Sequence, residues 1–317
     1  MKYIFGPVPS RRLGLSLGVD LLPPKTCNMD CIYCELGKGS GTVCQVREYT
    51  PFEEIRDEIR QVALENPQGF DCLTFTASGE PTLHSRLGEL IEYAQKVCGK
   101  PVVVLTNAGL AGRKDIREGL SRADFVLPSL DAATPQAFRK INRADPCVRL
   151  EDVIEGLCLL RREMRGQMWL EILFVRGFND SEREVLALKE AVARIGPDRV
   201  QLNTVVRPPA EDFARPVSRR RMEEIRQAMG PGVEVIVDFS RKIREGSSLI
   251  LESEILDVLK RRPLSCRDIK KLFGGLEKVD EILSRLMKSG IIHKKSVDSR
   301  SFYCTASQEQ SSGEGMP

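Results

Sequence analysis

Short apolar runs recur along most of the chain, and segments whose apolar residues follow the spacing of a helix separate them. Runs of strand-forming residues that end in turn-forming residues predict β-strands. These runs lie at 15–22, 71–77, 101–109, 125–131, 169–175 and 199–209, with a further one at 233–237. Strands that alternate with connections of helical length predict an α/β fold with a parallel sheet and right-handed crossovers.

Two of the intervening helices begin with the same pair of residues. Thr50 and Pro51 precede one helix, and Thr134 and Pro135 precede the other. Threonine is a favourable N-cap, and proline is a favourable first residue of a helix. Beyond Thr50 the apolar residues fall on one helical face, which consists of Phe52, Ile55, Ile59 and Val62. The sequence therefore predicts that each threonine caps the helix that follows it.

The pattern changes near residue 249, where apolar spacing predicts three helices and then a hairpin around 298–299. Three helices and a hairpin resemble a winged helix. We predict a core domain over 1–245, a winged-helix-like domain over 246–305, and a disordered tail over 306–317, which is rich in Ser, Glu and Gly. The small domain could bind nucleic acid, contact a protein or serve as a lid. For nucleic acid, the expected phosphate contacts are Lys270, Lys271, Lys294 and Lys295.

Composition and charge restrict the functional classes to which the protein can belong. The net charge of +3 over 317 residues is too small to indicate a polyanionic partner by itself. An N-terminal signal-like run and a membrane-spanning apolar stretch are both lacking in the sequence, which predicts a cytoplasmic protein that is not in the membrane. Seven of the ten cysteines stand singly and are predicted to be reduced thiols, with an auxiliary cluster built from some of them as the alternative: Cys44, Cys72, Cys98, Cys147, Cys158, Cys266 and Cys304.

The other three cysteines, Cys27, Cys31 and Cys34, have C-x3-C-x2-C spacing, and Tyr33 stands just before the last of them. A closed zinc site needs four ligands, and no further cysteine is suitably spaced. An iron–sulfur cluster also uses thiolates, and three of them leave one iron of four open to an outside ligand. A chance triad and a structural zinc site are the alternatives. The position of the motif directly after the first predicted strand favours an active site at the carboxyl end of that strand.

The C-x3-C-x2-C motif with its aromatic residue resembles that of radical S-adenosylmethionine (SAM) enzymes. This resemblance implies a partial (β/α)6 barrel, a 4Fe–4S cluster on Cys27, Cys31 and Cys34, and SAM bound to the open iron, with Tyr33 among the cofactor-binding residues. It also implies reductive cleavage of SAM to a 5'-deoxyadenosyl radical and an electron donor such as flavodoxin or ferredoxin.

A second motif, Ser78-Gly79-Glu80-Pro81, follows the strand at 71–77. It resembles the Gly-Gly-Glu-Pro motif of the same enzymes, in which main-chain groups and the glutamate hold the SAM amino group. Ser78 replaces the first glycine of that motif. A turn containing glycine lets a ligand approach bare backbone, so Ser78, Gly79 and Glu80 are predicted cofactor-binding residues.

The resemblance also assigns polar residues at the later strand ends. Those expected along the SAM ribose, the SAM adenine or the substrate are Thr106, Asn107, Ser129, Asp131, Asn203 and Val205, while turn and cap chemistry is the alternative for Thr106 and Asn107. Arg176 and Arg207 are the predicted substrate residues. Their charge suits a substrate with a phosphate or a carboxylate.

Over about residues 1–245 the chain resembles a group of iron–sulfur oxidoreductases related to tRNA wybutosine synthases. This resemblance rests on three motifs, which are Gly6-Pro-Val-Pro-Ser-Arg-Arg, the Ser78 turn with its extension to His84, and Leu202-Asn-Thr-Val-Val-Arg-Pro-Pro. The resemblance implies hydrogen abstraction from a polar substrate, with a tRNA base as one candidate and a small molecule or a peptide as the alternatives. A winged-helix redox sensor is the alternative from a different functional class, although a sensor would need neither the Ser78 turn nor a barrel.

Overall fold

The computed structural model of the protein describes residues 1–10, 12–39, 41–76, 78–237, 252–261, 263–273, 276–297 and 300–305. An eight-stranded sheet has its strands in sequence order. They are β1 (Ile4–Ser10), β2 (Gly14–Asp20), β3 (Cys72–Thr76), β4 (Val102–Thr106), β5 (Phe125–Pro128), β6 (Gln167–Phe174), β7 (Arg199–Thr204) and β8 (Val233–Val235). Strands β2 to β8 are parallel, which confirms the predicted α/β class.

Helices connect the parallel strands. They are α1 (Phe52–Glu65), α2 (Leu87–Cys98), α3 (Lys114–Leu120), α4 (Pro135–Ile141), α5 (Leu150–Glu163), α6 (Glu182–Ile195) and α7 (Arg219–Met229), with a 3-10 turn at Pro81–Leu83. The apolar face predicted for α1 is buried. It packs with the apolar residues of the sheet and of the neighbouring helices in one large core.

Strand β1 was not among the predicted strands. Its segment contains Pro7 and Pro9, which cannot donate to a ladder, so the sequence argues against a strand. The structure accommodates both prolines because β1 lies at the sheet edge, antiparallel to β2, with an irregular register between Phe5 and Val8.

The two predicted threonine caps have different outcomes. The Thr134 hydroxyl accepts a hydrogen bond from the Ala137 N–H at 3.4 Å, as predicted. The Thr50 hydroxyl instead donates to the Leu21 carbonyl at 2.7 Å, and the Glu48 carboxylate accepts from the first N–H of α1. The Thr50 prediction is therefore wrong, because a contact with the segment after β2 takes the hydroxyl away from the helix.

The prediction that all the single cysteines are reduced is also wrong. Cys44 and Cys147 form a disulfide across 103 residues of sequence, and Cα atoms lie 6.6 Å apart. The segment after the cysteine motif and the loop between α4 and α5 meet only in the folded chain. The remaining five single cysteines keep reduced thiols: Cys72, Cys98, Cys158, Cys266 and Cys304.

The described residues of the C-terminal part form six elements. They are α8 (Glu252–Arg261), β9 (Leu264–Ser265), α9 (Cys266–Phe273), α10 (Leu276–Lys288), β10 (Ile292–Val297) and β11 (Arg300–Thr305). The three strands form a sheet of order β10-β11-β9. The apolar core of these elements includes Val8, so this part packs on the edge strand β1. Its division from the core domain and its winged-helix character stay predictions, and the predicted tail at 306–317 lies outside the described residues.

Among the described residues, every helix is too short or too polar to span a lipid bilayer.

Candidate active site

A cavity of about 440 Å³ extends along the inner face of the sheet to the carboxyl ends of the parallel strands. It brings together thirteen predicted site residues: Cys27, Cys31, Tyr33, Cys34, Ser78, Gly79, Glu80, Thr106, Asn107, Ser129, Asn203, Val205 and Arg207. Asp131 and Arg176 do not line it. The exposed Arg176 lies in the turn after β6, and Asp131 is buried behind the cysteine loop.

The cysteine loop follows β2, and main-chain contacts hold it on both sides. Thr26 forms a parallel bridge with Gly79, and the Glu80 N–H donates to the Thr26 carbonyl at 2.9 Å. On the other side the Ile32 N–H donates to the Ile141 carbonyl at 2.9 Å. The loop is thus fixed between the turn after β3 and the end of α4, which places its three thiols at the cavity wall.

Side-chain amides approach two of these thiols. Asn107 Nδ2 lies 3.4 Å from Cys27 Sγ, and Asn142 Nδ2 lies 3.5 Å from Cys31 Sγ. Burial raises the pKa of Cys27 to about 12, and it also raises the pKa of Cys31 well above its usual value. Without a metal these thiols stay protonated at neutral pH. Iron binding must therefore displace their protons, as is usual for thiolate sites.

The turn after β3 differs from its predicted role at Gly79. A Cβ atom on Gly79 would lie 1.8 Å from the Thr26 carbonyl oxygen. The close backbone approach that glycine permits here is therefore to the cysteine loop itself. Ser78 donates from its hydroxyl to Asp20 Oδ2 at 2.6 Å and from its N–H to Asp20 Oδ1 at 2.9 Å. The serine in place of glycine thus ties the turn to the end of β2.

Glu80 is almost fully buried, and four protein donors surround its carboxylate. Oε1 accepts from the N–H and hydroxyl of Thr82 and from the Thr106 hydroxyl, while Oε2 accepts from the Asn107 N–H at 2.6 Å. Burial raises the pKa of Glu80, which these hydrogen bonds oppose. Glu80 therefore links the turn after β3 to the end of β4, and Oε2 retains capacity for a further donor.

Behind the loop, the Tyr33 hydroxyl donates to Asp131 Oδ2, and Asp131 Oδ1 accepts from the Leu173 N–H at 2.8 Å. Burial raises the pKa of Asp131 to about 6. Asp131 therefore positions the cysteine loop against β6 through Tyr33. Its contact with the cofactor, which the sequence predicted, would be indirect.

The far wall carries Asn203, Val205 and Arg207 in and after β7. Arg207 Nη1 pairs with Glu35 Oε2 at 2.5 Å, while its buried Nε has no partner atom in the part of the chain that the structure describes. An unpaired buried donor is costly unless a ligand or water accepts from it. The Arg207 Nε–H is thus available to a hydrogen-bond acceptor.

Sequence reasoning missed several residues of the cavity and its surroundings. For Arg12 the sequence favours a solvated side chain, with a contact to a carboxylate or a phosphate as the alternative. The structure shows the carboxylate contact, because Arg12 pairs with Glu171 Oε2 at 2.5 Å inside the cavity and also donates from Nη1 to Gln201 at 3.2 Å. The strand pattern carried a signal for Glu171, since a charged residue in an otherwise apolar run at 169–175 must find a partner. Asn142 follows α4 and has no local signal.

Comparison with known proteins identifies the family. The profile of the Radical SAM superfamily matches residues 21–189, which include the cysteine motif and the turn after β3. The chain belongs to the radical SAM superfamily. Members of this superfamily are enzymes that use a 4Fe–4S cluster and SAM, and they generally need an electron donor.

The chain is also similar to individual proteins. A protein of Brachyspira hyodysenteriae named GTPase Obg is 34% identical over 301 residues, which are 94% of this chain and 44% of that protein, so the chain spans less than half of it. A UPF0026 protein of Helicobacter pylori is 32% identical over 95% of this chain and 97% of its own. Among solved structures, TYW1 with a lysine–pyruvate adduct bound is similar, with a TM-score of 0.51 at 16% identity. The similarity covers 68% of this chain and 74% of that one, and it shows a shared fold.

The residues present fit the radical SAM cofactors. Three thiols face one cavity, two amides lie within reach of their sulfur atoms, and polar main chain lines the adjacent turn. Asn28 Nδ2 and Arg207 Nε are buried and lack partner atoms in the described chain, as expected of groups next to a polar ligand. In this radical SAM protein, Cys27, Cys31 and Cys34 are the residues that would hold the cluster.

Proposed function

We propose that this protein uses SAM to generate a radical that abstracts hydrogen from a polar, anionic substrate. The bound cluster would supply the electron that cleaves SAM to methionine and a 5'-deoxyadenosyl radical. The observation that carries the proposal is the convergence of the three cysteines and the Ser78-Gly79-Glu80 turn on one cavity. The winged-helix sensor is set aside, because a sensor would not need this second motif.

The cavity walls suggest how the chain's residues divide the work. We assign Cys27, Cys31 and Cys34 to the cluster. The Ser78 turn would meet the SAM amino group, with Asn107 and Ser129 next to it, and Asn203 and Val205 would lie along the ribose and adenine. Thr106 would position Glu80 through their 2.6 Å hydrogen bond. Support for these roles comes from the lining of a single cavity at the carboxyl ends of β3, β4, β5 and β7.

The chemistry of the wall favours a substrate that carries a phosphate or a carboxylate. Arg207 is a planar, permanently charged donor, and its buried Nε needs an acceptor. A tRNA base is the first candidate substrate, because its nucleotide carries a phosphate. A small anionic molecule or a peptide is the second candidate. Arg176 would contact only a substrate large enough to extend over the exposed turn after β6.

The test is reductive cleavage of SAM in the absence of substrate. The 317-residue chain, reconstituted anaerobically and reduced with dithionite, should release methionine and 5'-deoxyadenosine slowly, and should bind about four irons. Changing Cys27, Cys31 and Cys34 to Ala should abolish both results. Cys98→Ala is the matched control, because Cys98 is a free cysteine outside the cavity. Iron retained by the triple variant, or no deoxyadenosine with any low-potential reductant, would reject the proposal.

A further inference from the structure

Two asparagine side chains lie against the sulfur atoms of the cysteine loop, one from each neighbouring element. Asn107 follows β4, and Asn142 follows α4. We propose that Asn107 and Asn142 are positioning residues that raise the reduction potential of the cluster by donating N–H···S hydrogen bonds to Cys27 and Cys31. The inference rests on the proposed function only in requiring a cluster on these thiols.

The orientation of the Asn107 amide follows from its other hydrogen bonds. Its Oδ1 accepts from the Gly109 N–H at 2.8 Å, which only an acceptor can do. The NH₂ group must therefore face the loop, where Nδ2 lies 2.7 Å from Asn28 Oδ1 and 3.4 Å from Cys27 Sγ. An amide NH₂ has two hydrogens, so it can serve both acceptors. Glu80 fixes the backbone by accepting from the Asn107 N–H.

Asn142 is oriented by electrostatics. Its Nδ2 lies 3.4 Å from Asp131 Oδ2 and 3.5 Å from Cys31 Sγ, and both are acceptors when Asp131 is ionised and iron is bound. In the flipped orientation the amide oxygen would face the Asp131 carboxylate and the Cys31 thiolate, and both would repel it. The main chain is held too, because the Asn142 carbonyl accepts from the Asp30 N–H at 3.1 Å. Asn142 is buried and cannot rotate away into solvent.

The third thiol has a different neighbour. The Lys25 ammonium interacts with Cys34 and lies 3.6 Å from Asp30 Oδ1. Each motif cysteine thus has at least one side-chain N–H donor near it. The two asparagines differ from Lys25 in carrying no net charge, so their effect can be tested without changing the charge of the site.

Hydrogen bonds to the sulfur ligands are a recognised determinant of cluster potential. Reduction adds negative charge to the cluster, and part of it resides on the sulfurs, so a fixed N–H donor stabilises the reduced form more than the oxidised form. We expect each amide to change the reduction equilibrium by up to about tenfold, which is about 59 mV for one electron.

The experiment is a redox titration of the reconstituted protein, followed by electron paramagnetic resonance. Asn142→Leu and Asn107→Leu remove a donor at similar side-chain size and without adding charge. Each should lower the reduction equilibrium constant by up to about tenfold, with iron and sulfide content unchanged. Asn66→Leu is the control, since Asn66 is exposed at the end of α1, away from the cavity, and its potential should match wild type.

A spectroscopic measurement on the unchanged protein guards against variants that fail to fold. Protein labelled with nitrogen-15 in its asparagine side chains should show magnetic coupling between these nitrogens and the reduced cluster, and Asn142→Leu should lose part of it. No coupling in wild type, or wild-type potentials in both leucine variants, would overturn the inference. These measurements do not need SAM cleavage, so failure of the proposed function is seen separately as absent deoxyadenosine from protein with a normal cluster.

Discussion

Gly79 is the residue at which the two sequence motifs touch. A Cβ atom there would lie 1.8 Å from the Thr26 carbonyl oxygen, so even Gly79→Ala must push the cysteine loop aside. We expect a loss of about 1–3 kcal/mol in the free energy of unfolding, typical of overpacking, together with reduced iron content after reconstitution. Iron analysis and urea unfolding of the same preparations would measure both.

The control for this substitution is Gly119→Ala in α3. The nearest atom to a Cβ on Gly119 lies 3.5 Å away, which is ordinary contact, and alanine favours a helix. Gly119→Ala should therefore keep full iron content and equal or greater stability. Full iron content and unchanged stability in Gly79→Ala would contradict the prediction and show that the loop can shift at this point without loss of the site.

Among the elements, the segment after the cysteine motif depends on a long-range tie. The Cys44–Cys147 disulfide joins it to the loop between α4 and α5, and the Thr42 hydroxyl donates to Asp145 in the same loop at 2.7 Å. Closing a loop of this length restricts the unfolded chain, so we expect Cys147→Ser to lower the free energy of unfolding by about 2–4 kcal/mol. Urea unfolding without reductant is the measurement.

Cys98→Ser provides the comparison, because Cys98 is partly exposed and forms no disulfide. It should change the stability much less than Cys147→Ser does. The disulfide also predicts that Cys44 and Cys147 resist alkylation until a reductant is added. Equal alkylation of all the accessible cysteines in freshly prepared protein, with unchanged stability of Cys147→Ser, would contradict the prediction.

For the molecule as a whole, the C-terminal part packs on β1 at the edge of the sheet, and Val8 of β1 also lines the cavity. The core of this part includes Val8 of β1, the Asp268 carboxylate on α9 acts electrostatically on Arg207, and Lys295 pairs with Asp212 at 3.3 Å. Lys270 pairs with Asp280 at 2.6 Å. Two of the four lysines expected to contact phosphate thus have acidic partners, while the side chain of Lys271 lies outside the described part.

These pairings sharpen the RNA prediction. If the substrate is a tRNA, its affinity should fall steeply with salt, and Lys294→Ala should reduce the slope of log affinity against log salt by about one contact. Lys294 has no ion pair within the described chain, although its ammonium lies over the Tyr303 ring. Lys96→Ala is the control, since Lys96 is exposed on α2, and it should leave the slope unchanged. Salt-independent or absent RNA binding would favour the small molecule or the peptide.

Much of the fold and the chemistry could be predicted from the sequence, because those features depend on neighbours along the chain. The period of the apolar residues marked the alternating strands and helices, and the spacing of Cys27, Cys31 and Cys34 indicated an iron–sulfur loop. Parallel strands bring their carboxyl ends to one edge, so most of the strand-end residues were expected to line one cavity. Asp131 and Arg176 do not line the cavity, because the position of a strand end does not determine the direction in which its side chains point.

Contacts between distant segments were decided only by the tertiary structure. The Thr26 backbone occupies the space beside Gly79, and the Thr50 hydroxyl donates to the Leu21 carbonyl instead of capping its helix. Asn142 contacts Cys31, which lies 111 residues away in sequence. None of these has a local period or spacing, because each depends on how loops from separate strand–helix units pack at one edge of the sheet. The sequence alone therefore determined the cofactor chemistry of this protein, while its packing decided which side chains surround the thiols and the cavity.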